Sequence, residues 1–319
     1  MKIHSQEFRT VVANASSQTP SPCRGDTSAK GPREVWALFE SIVNKVCEVI
    51  VERKLISQIH PSLYFIAVWC KRMNRYFQWL TEKNKFANEI NIDKLPYRVL
   101  THKSVLIKHL GDSNVQLQYN KVTNLKIAYK KINGILIKPG EIFSFCKLVG
   151  LPTKSKGYLE GMELSFGDDK TGIGGGLCQL ANLIYWLSLH TSLTTIERHH
   201  HSFDPFPDNN RVIPFGSGAT VFYNYVDLQI RNDTDCTFQI NIWFSDKYLE
   251  GEIRVDKELD YSYCVFEKKH RFIKKDNMFY RENEIWRNKI LDNGNVVSTE
   301  LITSNNALVK YIPQQYEEV

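Results

Sequence analysis

Three successive glycines, Gly174, Gly175 and Gly176, stand before Leu177 and Cys178, and beyond Cys178 the apolar residues Leu180, Leu183, Ile184, Leu187 and Leu189 recur at helical spacing. Glycine runs disfavour helix and suit backbone that takes unusual angles or lies against another group. The pattern predicts a turn that sets Cys178 at the start of a helix running to about His190. At a helix start the first amides lack helical partners and the dipole favours a thiolate; the same N–H groups suit the oxyanion of a tetrahedral intermediate. That chemistry is acyl transfer by a cysteine nucleophile. Two plainer readings stand beside it. One is a phosphate-binding loop, although no Lys-Ser/Thr follows the glycines; the other is a buried structural cysteine.

A nucleophilic thiol needs a base. Of nine histidines, His199, His200 and His201 are consecutive and follow Glu197 and Arg198. In an extended segment His199 and His201 share one face and His200 takes the other. Asp204, Asp208, Asp227, Glu197 and Asn224 are candidates to orient an imidazole. Zinc ligation by Cys178, His199 and His201 is the rival use of these residues, but adjacent histidines chelate poorly and no fourth ligand stands at a familiar spacing. A surface loop is the bland one.

The positioning elements read as follows. The apolar residues Val35, Leu38, Phe39, Ile42, Val43, Val46 and Val49 predict a helix, and Pro61 opens a second through Trp69, Met73, Phe77 and Leu80, with Lys71, Arg72 and Arg75 on its polar side. The apolar stripe is expected to pack on a core; a membrane-surface helix is the lesser reading. Residues 99–110 read as a strand, 120–136 as a helix closing at Asn133 and Gly134, and 142–145 as a strand after a Lys138-Pro139-Gly140-Glu141 turn. Segments 193–197, 219–232 and 237–244 read as strands, and 282–304 as a hairpin around Asp292-Asn293-Gly294-Asn295. The division expected is a poorly ordered extension over 1–33, a helical region over 34–95, a main domain over 96–255 and a hairpin-containing extension over 256–319.

Lys plus Arg number 41 against 35 Asp plus Glu, a net charge of +6 spread along the chain with no basic stripe, so nucleic acid is not an expected partner. Attraction to an anionic wall or membrane surface stays open. Seven cysteines, an odd number without C-x-x-C pairs, argue against a disulfide framework. The first 33 residues carry no apolar signal region and no segment is long enough to span a bilayer, which gives a cytoplasmic location as the expectation.

Several ordered blocks together resemble the VanW family: Gly174-Gly175-Gly176-Leu177-Cys178-Gln179, then Asn182-Leu183, Glu197-Arg198-x-x-His201, and Gly216-x-x-Ala219-Thr220-Val221. So do Asn124-Leu125-x-x-Ala128, the run from Asn133 to Phe145, and Asp227-Leu228 through Cys236. The resemblance implies an α+β fold, in which N-terminal helices precede a domain whose Cys-bearing helix packs on an antiparallel sheet. It also implies a cysteine-dependent, L,D-transpeptidase-like acyl transferase acting on peptidoglycan stem peptides or their precursors. Cys178 is then the nucleophile, His201 the base, and Gly174, Gly175, Gly176, Gln179, Glu197, Arg198 and Thr220 hold substrate or oxyanion, without cofactor or metal. Where the family reads Gly-x-Asp-Ala-Thr, this chain has Gly218, so either another group takes the orienting role, Asp227 being the substitute chosen, or the activity is weakened or lost. The other implied reading is a non-catalytic accessory protein of glycopeptide resistance, with peripheral association to wall or membrane.

Overall fold

The structure is a computed structural model that describes residues 61–82, 85–107, 115–165, 168–200, 203–204, 207 and 212–318. The sequence readings for 1–60, His201 and Asp208 lie outside these residues. The fold is α+β. Helix α1 (Pro61–Thr81) leads to strand β1 (Tyr97–Val105), helix α2 (Val115–Ala128) and a 3-10 turn at Tyr129–Lys131. Short strands β2 (Ile135–Ile137) and β3 (Ile142–Ser144), helix α3 (Phe145–Val149) and the hairpin β4 (Glu160–Ser165) and β5 (Asp168–Ile173) precede helix α4 (Cys178–Leu189). Nine strands follow: β6 (Thr194–Glu197), β7 (Phe203–Asp204), β8 (Gln229–Arg231), β9 (Phe238–Phe244), β10 (Tyr248–Val255), β11 (Tyr261–Lys275), β12 (Met278–Leu291), β13 (Val296–Val309) and β14 (Glu317–Glu318).

Four sheets result, in orders β1-β10-β9-β2, β3-β8-β6, β4-β5 and β14-β11-β12-β13-β7. Helix α4 lies on β10 and β1 of the antiparallel first sheet, where Leu180, Leu183, Ile184 and Leu187 join Ile240, Ile242, Leu249 and Ile253 in one buried core. Gly251 lets α4 approach: a methyl there would sit 3.1 Å from Leu183 and 3.2 Å from Leu187. The long β12–β13 hairpin turns at the Asp292-to-Asn295 tetrad. From its side Arg287 donates to the carbonyl of Leu189, the last residue of α4, at 3.2 Å and to that of Thr191 just beyond it at 2.8 Å, tying the last sheet to the Cys-bearing helix.

Three local expectations change. The helix expected over 120–136 ends as a 3-10 turn at Lys131, because Gly134 reverses the chain at φ 82° and the β-branched Ile135 and Ile137 enter a strand. Only Gln229–Arg231 of the strand expected over 219–232 pairs in a sheet. Ahead of it the chain folds on itself, Phe222 bridging Val226 around Asn224, which sits at φ 56° with its Nδ2 on the Arg72 carbonyl at 3.1 Å. Helix α1 turns the other way from expectation. Trp69, Met73 and Leu80 are exposed, Leu80 at 74%, whereas Arg75 is buried to 13% of its side-chain surface. Carboxylate and aromatic partners on the body draw the cations inward, as the next section describes.

A candidate thiol site at a three-glycine turn

The glycines carry the turn. Gly174 and Gly176 adopt φ 86° and 92°, the left-handed region that L side chains avoid. Gly175 between them passes so close to Gly161 of β4 that a Cβ would fall 2.3 Å from the Gly161 carbonyl carbon. Two bare backbones therefore cross directly beneath the thiol turn. A Cβ on Gly176 would strike the Lys121 stem at 2.2 Å, and Lys121 Nζ donates to Gln118 at 2.7 Å. Asn124 of α2, fully buried, binds both sides of the crossing: its Nδ2 donates to the Leu159 and Gly175 carbonyls, each at 3.0 Å, and its Oδ1 accepts from Leu159 N at 2.8 Å.

Cys178 is the first residue of α4, as the spacing predicts. The amides behind it are spent locally: Gln179 N donates to Gly176 O at 3.1 Å and Leu180 N to Leu177 O at 3.0 Å. The Cys178 amide faces its own sulfur, and Sγ–H points to the Val221 carbonyl at 3.8 Å. Cys178 is half-buried, with its Sγ against the Val221 carbonyl. Burial pushes its pKa up, and the nearby Glu163 carboxylate pushes the same way. Glu163 is itself raised by burial; its carboxyl carbon fills the space a side chain on Gly172 would need. The helix-start dipole thus loses to desolvation here, and the thiol is protonated at neutral pH.

The other expected residues divide between the thiol and a separate ionic cluster. Gln179 stands beside Cys178 and ties α4 to β1, donating through Nε2 to Ser104 Oγ at 2.9 Å and Val105 O at 2.8 Å. Asn182, one turn on, accepts from Ala219 N at 2.6 Å and so fastens the segment that carries Thr220 and Val221. Thr220 pairs with His199 through its backbone, and its buried Oγ1 has no hydrogen-bond partner among the described residues. Arg198 donates to the carbonyls of Gly218 and Gly216 and lies 5.0 Å from the Tyr185 ring, which commits it to holding the 216–218 loop. At Gly218 a Cβ would meet Asn182 Oδ1 at 2.8 Å.

Glu197 and Asp227 belong to the second cluster. Arg75 of α1 meets Glu197 through two nitrogens at 2.5 and 2.7 Å; Glu197 Oε1 also accepts from Asp227 N at 3.0 Å and faces His199 Nε2 at 3.3 Å. Burial opposes the Glu197 charge, yet the His199 and Arg75 contacts prevail and hold its pKa at about 2. The Asp227 carboxylate accepts from Ser144 Oγ at 2.6 Å, Cys146 N at 2.8 Å, Leu228 N at 2.9 Å and Gln229 Nε2 at 3.2 Å, and burial raises its pKa. Ser144 is the N-cap of α3, and Asp227 supports it by taking the Ser144 hydroxyl and the Cys146 amide; among the described residues no histidine touches that carboxylate. Asp204 pairs with Arg281 at 3.0 Å, each with 3% of its side chain exposed, and Asn224 is bound to α1. Neither His199 nor His200 contacts the thiol; the imidazole expected there, His201, lies outside the described residues.

Lys121 and Glu163 are not singled out by the sequence, Asn124 enters there only as part of a family block, and Arg75 only as a residue on the polar side of its helix. The Arg75 contact carries no local signal, since its partner is 122 residues away. Among the described residues no group of three or more His, Cys, Asp or Glu is placed to hold a metal, and no helix is long and apolar enough to cross a membrane.

These features define an α+β protein built around a thiol at a glycine turn. Comparison with known proteins places it. The family model described as "VanW like protein" matches residues 120–254. The chain is 35% identical over 262 residues to the vancomycin B-type resistance protein VanW of Enterococcus faecalis (strain ATCC 700802 / V583), covering 82% of this chain and 95% of that protein. It is 27% identical over 151 residues to the uncharacterized protein YoaR of Bacillus subtilis (strain 168), 45% of this chain and 46% of that one. No solved structure matches significantly. The chain belongs to the VanW family.

Proposed function

We propose that this protein serves glycopeptide resistance by acting on peptidoglycan stem peptides or their precursors as a cysteine-dependent, L,D-transpeptidase-like acyl transferase. The carrying observation is the Gly174–Gly176 turn: two left-handed glycines and a bare backbone crossing are spent on setting Cys178 at the start of α4. In the reaction Sγ attacks a substrate carbonyl and its proton passes to a base, the role proposed for His201. The amine leaves with that proton, and a second amine opens the thioester. Thr220 Oγ1, buried and without a hydrogen-bond partner among the described residues, suits a donor to a substrate oxygen. Glu197 and Arg198 act by holding the surrounding segments, and the scheme draws on no metal or cofactor.

A second reading is favoured by the half-buried thiol, whose pKa is pushed up by burial. In it the same surface binds wall peptides for a partner, without turnover, at a peripheral site on the envelope. Incubation with a donor tetrapeptide or a thiol-directed carbapenem, followed by intact-protein mass spectrometry, separates the two. The enzyme gives an adduct that Cys178→Ser abolishes. The binding protein gives no adduct, and Cys178→Ser retains peptide affinity.

A further inference from the structure

Helix α1 lies outside the segment matched by the family model, yet it grips the loop that carries Val221. Asn224 Nδ2 donates to the Arg72 carbonyl at 3.1 Å, and the Arg72 guanidinium lies 5.8 Å from the Phe222 ring. Lys71 Nζ stands 5.1 Å from the Tyr225 ring, and the Tyr76 and Tyr223 hydroxyls meet at 2.8 Å. The polar face of α1 thus spans four consecutive residues of the 222–225 turn. Arg75 anchors this grip through its two-nitrogen contact to Glu197, a geometry that fixes orientation as well as distance. Glu197 in turn receives the Asp227 amide, which begins the chain that returns from the turn.

We infer that Arg75 is a positioning residue for the Cys178 site: by clamping Glu197 it fixes the start of the 197–200 segment and, with the rest of α1, holds the 221–227 turn against the thiol. The segment and the turn are neighbours, joined by the His199–Thr220 bridge, and Val221 is the carbonyl that Sγ–H faces. The clamp accounts for a thiol that is built at a helix start and yet half-buried. Loosening it frees the thiol and misplaces the groups around it, two effects of opposite sign on reactivity. Only the substrate-adduct part of this inference rests on the acyl-transfer reading; the thiol-exposure part does not.

The experiment compares the full-length protein with Arg75→Lys and Arg75→Met, each checked for folding by circular dichroism and thermal midpoint. Alkylation of Cys178 by iodoacetamide is followed at one pH by mass spectrometry of the Cys178 peptide, because other cysteines are present. Carbapenem adduct formation is followed in parallel. The expected result is alkylation about tenfold faster in Arg75→Met, an intermediate rate in Arg75→Lys, and adduct formation at least about tenfold slower. A folded Arg75→Met whose alkylation stays within about twofold of the parent overturns the clamp, whatever the adduct does. If the parent forms no adduct while Arg75→Met alkylates faster, the clamp stands and the acyl-transfer reading falls. Should Arg75→Met fail to fold, Arg75→Lys decides on the same criterion.

Discussion

The thiol turn and the Glu197 cluster are built from opposite materials. Around Cys178 the work is done by backbone: glycines at φ 86° and 92°, a glycine-on-glycine crossing, and carbonyls facing amides. Around Glu197 it is done by charge: an arginine from α1, a histidine and a backbone amide share one carboxylate. The outcomes differ accordingly. At the thiol, desolvation and the nearby Glu163 carboxylate push the pKa up; where a guanidinium meets the Glu197 carboxylate, the charge survives burial. On the proposed acyl-transfer reading, the helix start alone does not lower the pKa of this thiol, and a base must reach it.

The contrast can be broken first at the backbone side. Gly176→Ala adds a Cβ at 2.2 Å from the Lys121 stem in a left-handed position, and is expected to cost about 3–5 kcal/mol in denaturant unfolding. Gly140→Ala is the control: it also has a positive φ, 77°, but meets nothing within 4 Å, so about 1 kcal/mol is expected. Equal losses at the two positions would mean that backbone angle alone, and not the close approach, builds the turn.

On the charge side, Glu197→Gln leaves Arg75 facing a neutral amide, with an expected loss of about 3 kcal/mol at pH 7. The pH dependence sharpens this. Glu197 titrates at about 2 in the folded protein, below the unfolded value, so its stabilisation is complete above the unfolded pKa and fades as pH falls toward 2. The stability gap between parent and Glu197→Gln, measured by denaturant titration, should therefore be constant from pH 7 to about 5 and narrow below that. A gap that stayed constant down to pH 3 would separate the loss from the ion pair.

The smallest effect is expected where the two regions meet. Gly218→Ala meets only the end of the Asn182 side chain, which can rotate away, leaving Ala219 N without its acceptor at a cost of about 1 kcal/mol. Gly218→Asp should cost a similar amount and leave the Cys178 alkylation rate unchanged. A large acceleration with iodoacetamide would show that Asn182 also guards the thiol.

Much of the architecture was legible in the sequence because its causes are local. The apolar spacing after Cys178 gave α4 its limits, and the Asp292-to-Asn295 tetrad marked the β12–β13 turn. Where tertiary contacts compete, reading failed: the 219–232 segment has strand composition, but Asn224 in a left-handed turn bound to α1 breaks it. Helix α1 was expected to bury its apolar stripe, and instead its cations found partners on the body while Trp69 and Leu80 stayed outside. Asp227 accepts hydrogen bonds from Ser144 Oγ and Cys146 N, contacts across 83 and 81 residues that no local pattern announces, while the histidine it was expected to orient, His201, lies outside the described residues.

By itself, then, the sequence determined where the thiol stands and what kind of turn presents it, since glycine's missing side chain and the helical period act within a few residues. The chain's place in the VanW family follows from the same ordered blocks. Only the tertiary structure decided the state of that thiol. Its burial, the Glu163 carboxylate near it and the Val221 carbonyl that it faces come from segments apart in the chain, brought together by packing that no local pattern encodes.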